Sequence, residues 1–375
     1  MNNEILSERE LASSLEDRLG EILGSIGWID SWENVQEPAS PVRGFDFSVQ
    51  IRSQNALRAE LFVECKLQPR PAQFPFDGLK KSLTRTGSSR DRIPVLAAPA
   101  ISERMAELCR KHGWSWFDLA GNCMLDIPDG IWIERSGLRS KRKSPKPEAN
   151  LGTAESARIV RALFRIDDLQ RKWTQRELQE SCYPSVSLGL VNKVVRHLRD
   201  QAYLKDLPSK GGFHLVDPAG LLKEWRDAYQ FAKHTRHSLF TLQKPKQVND
   251  IARAIEDKRV HSVALASFSS AQATDPQVRG EKRTWIYVRR ESEADFKKSA
   301  EAQMVDTGSN LILLVPEDNG VFFDSVRSIE QGIPTTSLVQ TYVDVSQSGG
   351  RGAEAAEALL NRQLKPVWKK AGLPC

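Results

Sequence analysis

The sequence predicts a multi-domain α/β protein in which an α/β sandwich, a helix-turn-helix segment and a second α/β segment follow one another. The first observation is the length of 375 residues, which exceeds that of one typical domain. The second is the alternation of amphipathic helices and short apolar strands between residues 7 and 135. The third is a run of helical patterns that ends in a glycine-bearing hairpin, over residues 153–215. Short apolar runs from 284 to 345 then predict a second sheet.

Composition limits the class of protein and the kind of partner. The net charge of +6 and the pI near 9.0 favour an anionic partner. The helical segment described below predicts double-stranded DNA as that partner. Five scattered cysteines without a CxxC pattern are typical of free thiols in a reducing compartment. The polar, acidic start predicts no signal peptide, and no apolar run reaches the length of about 20 residues that spans a bilayer. We therefore expect a cytoplasmic protein without a membrane partner.

The first segment is predicted to pack helices on a mixed sheet. Leucines at positions 11, 15, 19 and 23 recur at helical spacing and predict an amphipathic helix over residues 7–26. The strands that follow are predicted over residues 27–35, the hairpin 44–66, 93–98, 114–122 and 131–134. Between these strands, the pattern predicts helices over residues 76–84 and 102–112.

The hairpin brings together the residues with the clearest chemistry. Glu64 and Lys66 lie two residues apart on a strand, so their side chains share one face while Cys65 points away. Asp46 begins the partner strand and is expected to return to the level of Glu64. Two carboxylates beside an ammonium suit a divalent cation that activates a water molecule. The alternative is a structural ion pair between Glu64 and Lys66.

This order of elements, with Asp46 on the second strand and Glu64-Cys65-Lys66 on the third, resembles the PD-(D/E)xK restriction-endonuclease-like superfamily. The similarity is greatest to its Holliday-junction-resolvase branch and covers about residues 8–135. The resemblance implies that Asp46 and Glu64 bind Mg²⁺ and that Lys66 orients the attacking water. It also implies an assisting acid on the first helix, Glu16 or Glu21. Solvated helix acids are the alternative interpretation of these two glutamates.

The second segment predicts a winged helix-turn-helix. Thr174 to Glu177 forms a capping box for a short helix, and Ser187 caps a longer helix whose apolar residues recur at helical spacing. A hairpin with a basic, glycine-rich tip follows at residues 204–215. We expect this long helix to enter the major groove of DNA. The predicted DNA-binding residues are Ser187, Asn192, Lys193, Arg196, Lys205 and Lys210.

Asn192 and Arg196 are the candidates for base contacts, because asparagine pairs with adenine and arginine with guanine. Lys205 and Lys210, on the hairpin, are predicted to contact phosphates. A winged domain that binds protein in place of DNA is the alternative. Because DNA sites are symmetric, a homodimer is plausible for either use.

The third segment is predicted to be a smaller α/β domain. Strands are predicted over residues 284–288, 310–315, 321–323 and 339–345, with a final helix over 353–364. The run Gln340–Leu360 resembles the C-terminal part of regulators grouped with the type IV, AbiE-type toxin–antitoxin antitoxins. That resemblance implies transcriptional control and a cognate toxin or regulatory protein as partner.

The sequence thus predicts four segments and leaves two functions open. The segments are a nuclease-like domain (1–135), a basic linker (136–152), a winged helix-turn-helix (153–238) and a C-terminal α/β regulatory or interaction domain (239–375). One function is a Mg²⁺-dependent DNA endonuclease. The other is a non-catalytic, antitoxin-like DNA-binding regulator that uses the nuclease fold only for binding.

Overall fold

The chain folds into two compact units, Met1–Lys146 and Pro147–Cys375. The computed structural model describes residues 8–27, 29–35, 44–53, 58–84, 92–127, 131–138, 149–208, 211–327 and 332–374. Both units are mixed α/β structures. None of the helices in these ranges is long and apolar enough to cross a membrane.

The first unit contains one sheet of seven strands that are hydrogen-bonded in chain order. Its described elements are α1 (Glu8–Gly24), β1 (Ile29–Val35), β2 (Phe47–Ser53), β3 (Arg58–Cys65), α2 (Phe76–Thr84), β4 (Arg92–Ala98), α3 (Glu103–His112), β5 (Ser115–Asp118), β6 (Cys123–Ile127) and β7 (Ile131–Arg135). β4 is parallel to β3 and to β5, and the other neighbouring strands are antiparallel.

The sheet is covered on both faces because its strands alternate two sets of apolar side chains. Leu61 and Val63 of β3 pack with the leucines of α1 on one face. Leu96 of β4 packs with Met105 of α3 and with Trp114 on the other. The predicted helix–sheet order is confirmed here, since the apolar spacing of 3.6 in α1 and of 2 in the strands matches the buried residues.

One strand of the first unit was missed by the sequence analysis. Residues 114–122 were predicted as a strand that ends in a turn, and β5 does end at Asp118, but the return strand β6 was not predicted. The Asp118 carboxylate accepts hydrogen bonds from the backbone and side-chain nitrogens of Asn122, both at 2.9 Å. This side-chain-closed turn reverses the chain, as Asp and Asn commonly do.

The second unit begins with helices and ends with a second sheet. Its described helices and strands are α4 (Ala154–Leu163), α5 (Gln175–Glu180), α6 (Leu188–Asp200), β8 (Leu204–Asp206), β9 (Phe213–Leu215), α7 (Pro218–Ala228), β10 (Thr235–Phe240), α8 (Pro245–Lys258), β11 (Val263–Leu265), α9 (Ser267–Thr274), β12 (Thr284–Val288), α10 (Glu293–Ser299), β13 (Gln303–Met304), β14 (Leu311–Val315), β15 (Val326–Arg327), β16 (Pro334–Thr335), α11 (Leu338–Ser346), α12 (Gly352–Leu359) and α13 (Lys365–Lys370).

Two parts of this unit matter for function, and they share one core. The α4–β9 segment (residues 154–215) holds three helices and an antiparallel hairpin. The C-terminal α/β segment (residues 235–370) holds a sheet of order β13-β10-β14-β12-β11-β16-β15. Trp285 and Tyr287 of β12 pack into the same apolar cluster as the helices of the α4–β9 segment. Ile286 and Val288 face the opposite side, with α8 and α10.

The expected boundary between residues 238 and 239 lies inside β10. No break in packing accompanies it among the described residues, because the core around Trp225 and Trp285 includes residues from both sides of the boundary. Burial of one continuous apolar cluster joins the two segments into a single compact unit.

Two predicted strands of the second unit are wrong. Residues 339–345 lie in α11, and residues 321 and 322 belong to a 3₁₀ turn over Asn319–Phe322 that Phe323 caps. Every side chain from 339 to 345 is buried, so the run lacks the one-sided apolar pattern that separates a helix from a strand. Gln340 and Asp344, four residues apart, hydrogen-bond each other at 2.7 Å, as side chains on one helical face do.

Candidate functional site

Asp46 is held against the end of β3 by two hydrogen bonds. Its backbone N–H donates to the Val63 carbonyl at 2.8 Å, and its carboxylate Oδ2 accepts the Cys65 N–H at 2.6 Å. The chain reaches Asp46 through Gly44, which has φ of +102° and lies so close to Leu79 that a Cβ would be 2.5 Å from its Cδ2. A glycine is therefore required at this approach.

Glu64 and Lys66 form an ion pair at the same strand end. Glu64 is 8% exposed, whereas the Lys66 side chain is 46% exposed. The Lys66 N–H donates to the Ala97 carbonyl at 2.9 Å, which continues the parallel pairing with β4. Cys65 instead packs against the cluster that contains α1, so its side chain points to the opposite face, as the alternation predicted.

The electrostatics of the three groups are coupled. Burial raises the pKa of Glu64, the Lys66 hydrogen bond and charge oppose this, and the Asp46 charge adds to the rise. Partial burial disfavours the charge of Lys66, but Glu64 and Asp46 outweigh it and raise the Lys66 pKa. Burial, Asp46 and Glu64 also raise the pKa of the Cys65 thiol, which disfavours its thiolate form.

The donor set fits a hard divalent cation. Within the described residues, the hydrogen bonds and ion pairs of these two carboxylates use Asp46 Oδ2 and Glu64 Oε1, so each group keeps a second oxygen. Among all the residues that the structure describes, no group of three His, Cys, Asp or Glu side chains is arranged to hold a metal ion. Mg²⁺ is commonly held by one or two carboxylates together with water and substrate phosphates, so two carboxylates suffice.

Glu16 and Glu21 are not brought to Asp46 and Glu64. Glu16 accepts a hydrogen bond from Asn34 of β1, and Glu21 pairs with Arg18 within α1. The α1 helix packs on the face formed by Leu61 and Val63. Because side chains alternate along β3, Glu64 lies on the opposite face. The two helix acids therefore belong to the surface of α1 and β1.

The predicted recognition helix is α6, and its polar side chains are exposed as expected. Ser187 caps the helix by accepting the Leu190 N–H at 3.2 Å. Asn192, Lys193 and Arg196 are exposed, while the apolar residues between them are buried. The Asn192 side chain donates to Gln175 of α5 at 3.1 Å, so this amide is oriented by the preceding helix.

The hairpin supplies one described basic residue. Lys205 is exposed on β8 and pairs with His214 of β9 in the antiparallel register. Lys210 lies outside the described residues. Trp173 exchanges backbone hydrogen bonds with Phe213 at 2.7 and 2.9 Å, which joins the hairpin to the strand-like stretch before α5.

Sequence reasoning missed a buried polar cluster in the second unit. Arg161 of α4 is 4% exposed and donates from Nε to Gln340 Oε1 at 2.7 Å. Gln340 donates to Tyr229 and to Asp344, and Tyr229 donates to Asp344 at 2.7 Å. The only signal in the sequence was a pair of polar residues, 340 and 344, at helical spacing in an apolar run.

We expect the buried Asp344 of this cluster to make a pH-dependent contribution to the stability of the second unit. Burial raises the pKa of Asp344 from 3.8 to about 7, against the opposing hydrogen bonds of Tyr229 and Gln340. The folded state therefore binds more protons than the unfolded state between about pH 4 and pH 7, so this group lowers stability as pH rises through that window. Asp344→Asn should remove that slope, measured as the difference in unfolding free energy between wild type and variant at each pH. A difference in unfolding free energy that stays constant from pH 4 to pH 7 would refute the proposed contribution of Asp344.

The candidate functional groups of the chain are the two carboxylates and the ammonium at the end of β3, and the exposed polar face of α6. No protein-family model, curated protein or solved structure matches this chain.

Proposed function

We propose that the chain is a metal-dependent DNA endonuclease. In this proposal the first unit, with a restriction-endonuclease-like fold, cuts DNA. The α4–β9 segment, as a winged helix-turn-helix, selects the site. The observation that carries the proposal is the convergence of Asp46, Glu64 and Lys66 at one strand end, with the carboxylates close enough for the Asp46 charge to raise the Glu64 pKa. A sheet that needed only stability has little use for two acids there.

The three side chains have distinct tasks in phosphodiester hydrolysis. Asp46 and Glu64 would hold Mg²⁺ through their second carboxylate oxygens. When bound, the cation supplies Lewis acidity and lowers the pKa of a coordinated water. Lys66, which the neighbouring carboxylates keep protonated, orients the water and stabilises negative charge on the phosphate oxygens. Attack on phosphorus breaks the P–O bond to the leaving sugar oxygen, which takes up a proton.

The α4–β9 segment supports DNA as the substrate. Helix, short helix, turn, longer helix and hairpin follow one another at the lengths of a winged helix-turn-helix. The exposed residues of α6 include Lys193 and Arg196, and Lys205 adds a cation on the hairpin. Cations beside a groove-sized helix suit phosphate contacts, and arginine suits guanine.

A second candidate is a non-catalytic DNA-binding regulator of the antitoxin type. It is favoured by the internal partners of the candidate catalytic groups. Asp46 completes the end of β3 through the Cys65 N–H, and Glu64 pairs with Lys66, so both carboxylates also have structural tasks. In this case the first unit binds DNA or a cognate protein without cutting.

The two candidates separate in a cleavage assay. The purified chain is incubated with supercoiled plasmid and with branched DNA, in Mg²⁺ or Mn²⁺ and in a chelator. Metal-dependent nicking is expected for the endonuclease. DNA that is bound at the same protein concentration but never nicked with either metal would overturn the enzyme and favour the regulator.

The DNA-binding face is tested by charge removal. Arg196→Ala should weaken binding by about 1–3 kcal/mol and relax sequence preference, whereas Lys205→Ala should weaken all duplexes alike and reduce the salt slope by about one. Lys258→Ala is the matched control, because Lys258 is exposed on α8, across the second sheet from the α4–β9 segment. Fluorescence anisotropy over a salt series measures the DNA affinity of wild type and of each variant. Equal affinities for all variants would refute the assignment of α6 to the groove.

A further inference from the structure

We propose that Arg158 and Arg289 are positioning residues for DNA recognition. They fasten the turn between α5 and α6 to the C-terminal α/β segment, so that this segment sets how α6 is presented to DNA. The inference rests on the proposed function of α6 in DNA binding. It assigns a role to contacts between parts of the second unit that the sequence analysis had placed in separate domains.

Arg158 joins three elements through one guanidinium. Its Nε donates to Asp318 Oδ2 at 3.0 Å and its Nη2 donates to the same oxygen, while Nη1 donates to the Ser185 carbonyl at 3.0 Å. Asp318 is 8% exposed and precedes the 3₁₀ turn over Asn319–Phe322. Ser185 lies in the turn two residues before the α6 cap, Ser187. The guanidinium thus connects α4, the turn and the C-terminal α/β segment.

Arg289 makes a second polar contact with the same turn. Its Nη2 donates to the Tyr183 hydroxyl at 2.7 Å, and its guanidinium lies 6.0 Å from the centre of the Phe322 ring. The Tyr183 ring in turn lies 5.3 Å from the His261 ring, which precedes β11. The turn therefore contacts the C-terminal α/β segment directly through Tyr183, at Arg289 and at His261. Ser185 is connected to that segment indirectly, because Arg158 binds both its carbonyl and Asp318.

The groups behind these contacts are buried. Asp318 also approaches Arg161 at 3.9 Å, and Arg161 is tied to Gln340 of α11 in the buried cluster. A Cβ on Gly320 would lie 2.5 Å from Asp318 Oδ1, 2.9 Å from Arg161 Nη1 and 3.2 Å from Arg158 Cγ, so a side chain at this position would displace these groups. Packed interiors transmit displacement because they have few voids. A shift of the 3₁₀ turn would therefore move Arg158, Ser185 and the start of α6 together.

Two variants and one control test the inference in the full-length chain. Tyr183→Phe removes only the hydroxyl that Arg289 binds, and Arg158→Met removes the bridge to Ser185 and Asp318. Tyr342→Phe is the matched control, since it removes a tyrosine hydroxyl that also accepts from an arginine, Arg226, at 3.3 Å, but between α7 and α11. Arg158→Lys should restore little of what Arg158→Met loses, because a lysine ammonium lacks the forked guanidinium that binds both Ser185 and Asp318.

The readout is the affinity for a fluorescein-labelled duplex that wild type selects from a random library, relative to the affinity for a random-sequence duplex. We expect this ratio to fall roughly fivefold to tenfold for Arg158→Met, less for Tyr183→Phe, and to stay unchanged for Tyr342→Phe. Hydrogen exchange of residues 183–190 should accelerate in the first two variants only. A loss of stability alone does not change this ratio of affinities, so the ratio separates positioning from folding.

The outcomes distinguish the two proposals. If wild type selects no duplex and binds none, DNA binding is refuted and the positioning role is refuted with it. If wild type binds a selected duplex, but Arg158→Met and Tyr183→Phe keep the wild-type ratio, only the positioning role is overturned. A lower ratio with faster exchange confined to the turn supports it.

Discussion

Asp46→Asn should lower the rate of DNA cleavage by about a hundredfold or more while the fold stays intact. The asparagine Oδ1 can still accept the Cys65 N–H that Asp46 Oδ2 accepts at 2.6 Å, so the end of β3 is preserved. What is lost is the negative charge that, in the proposed endonuclease, would hold the cation beside Glu64. A metal ion contributes several kcal/mol of transition-state stabilisation, and each 1.36 kcal/mol is a factor of about ten in rate.

Glu60→Gln is the matched control for this prediction. Glu60 lies on the same face of β3, four residues before Glu64, and accepts a hydrogen bond from Ser48 at 3.2 Å that a glutamine can keep. Initial rates of plasmid nicking, with circular dichroism to check folding, measure both variants. Cleavage by Asp46→Asn at the rate of Glu60→Gln would remove Asp46 from the catalytic site. In the regulator alternative, no variant cleaves and Asp46→Asn binds DNA as wild type does.

Arg161→Met should lower the free energy of unfolding of the second unit by about 1–3 kcal/mol. The buried guanidinium donates to Gln340, approaches Asp318 at 3.9 Å and lies 5.4 Å from the centre of the Trp225 ring. Methionine fills much of the volume but leaves Gln340 Oε1 without its donor in a buried site, while Asp318 keeps its hydrogen bonds from Arg158. A buried acceptor without a donor is costly, whereas an ion pair at a surface contributes little.

Arg165→Met provides the comparison two residues beyond α4. Its side chain is 43% exposed and pairs with Asp168 at 3.6 Å and with Asp324 at 3.8 Å. We expect its removal to cost at most about 1 kcal/mol. Urea unfolding of the full chain, with hydrogen exchange to resolve the two units, measures each variant. Equal losses for the two arginines would show that Arg161 is not the buried anchor of this unit.

The sequence predicted well wherever one face of an element is apolar and the other polar. The leucines of α1, the alternation in β2 and β3, and the capping box Thr174–Glu177 all lie as expected, because local spacing decides which residues are buried. The i and i+2 relation of Glu64 and Lys66 likewise follows from strand geometry alone. Because this geometry places both side chains on one face, Glu64 and Lys66 form an ion pair.

Local pattern is silent where an element is buried on every side or where a contact joins distant residues. Helix α11 carries no one-sided apolar pattern. Its polar residues Gln340 and Asp344 are instead satisfied by Arg161 and Tyr229, which lie more than 100 positions away in the sequence. Two further contacts also join residues that are distant in the sequence. The Cys65 N–H donates to Asp46, and Arg158 and Arg289 donate to the turn before α6.

The sequence alone therefore determined the strand that carries Glu64 and Lys66 and the helix that exposes Lys193 and Arg196. The tertiary structure decided that Glu16 and Glu21 lie away from that strand end, and that the α4–β9 segment and the C-terminal α/β segment form one unit. The physical reason is that periodicity reports which side of an element is buried. Only packing selects the partner against which that side is buried.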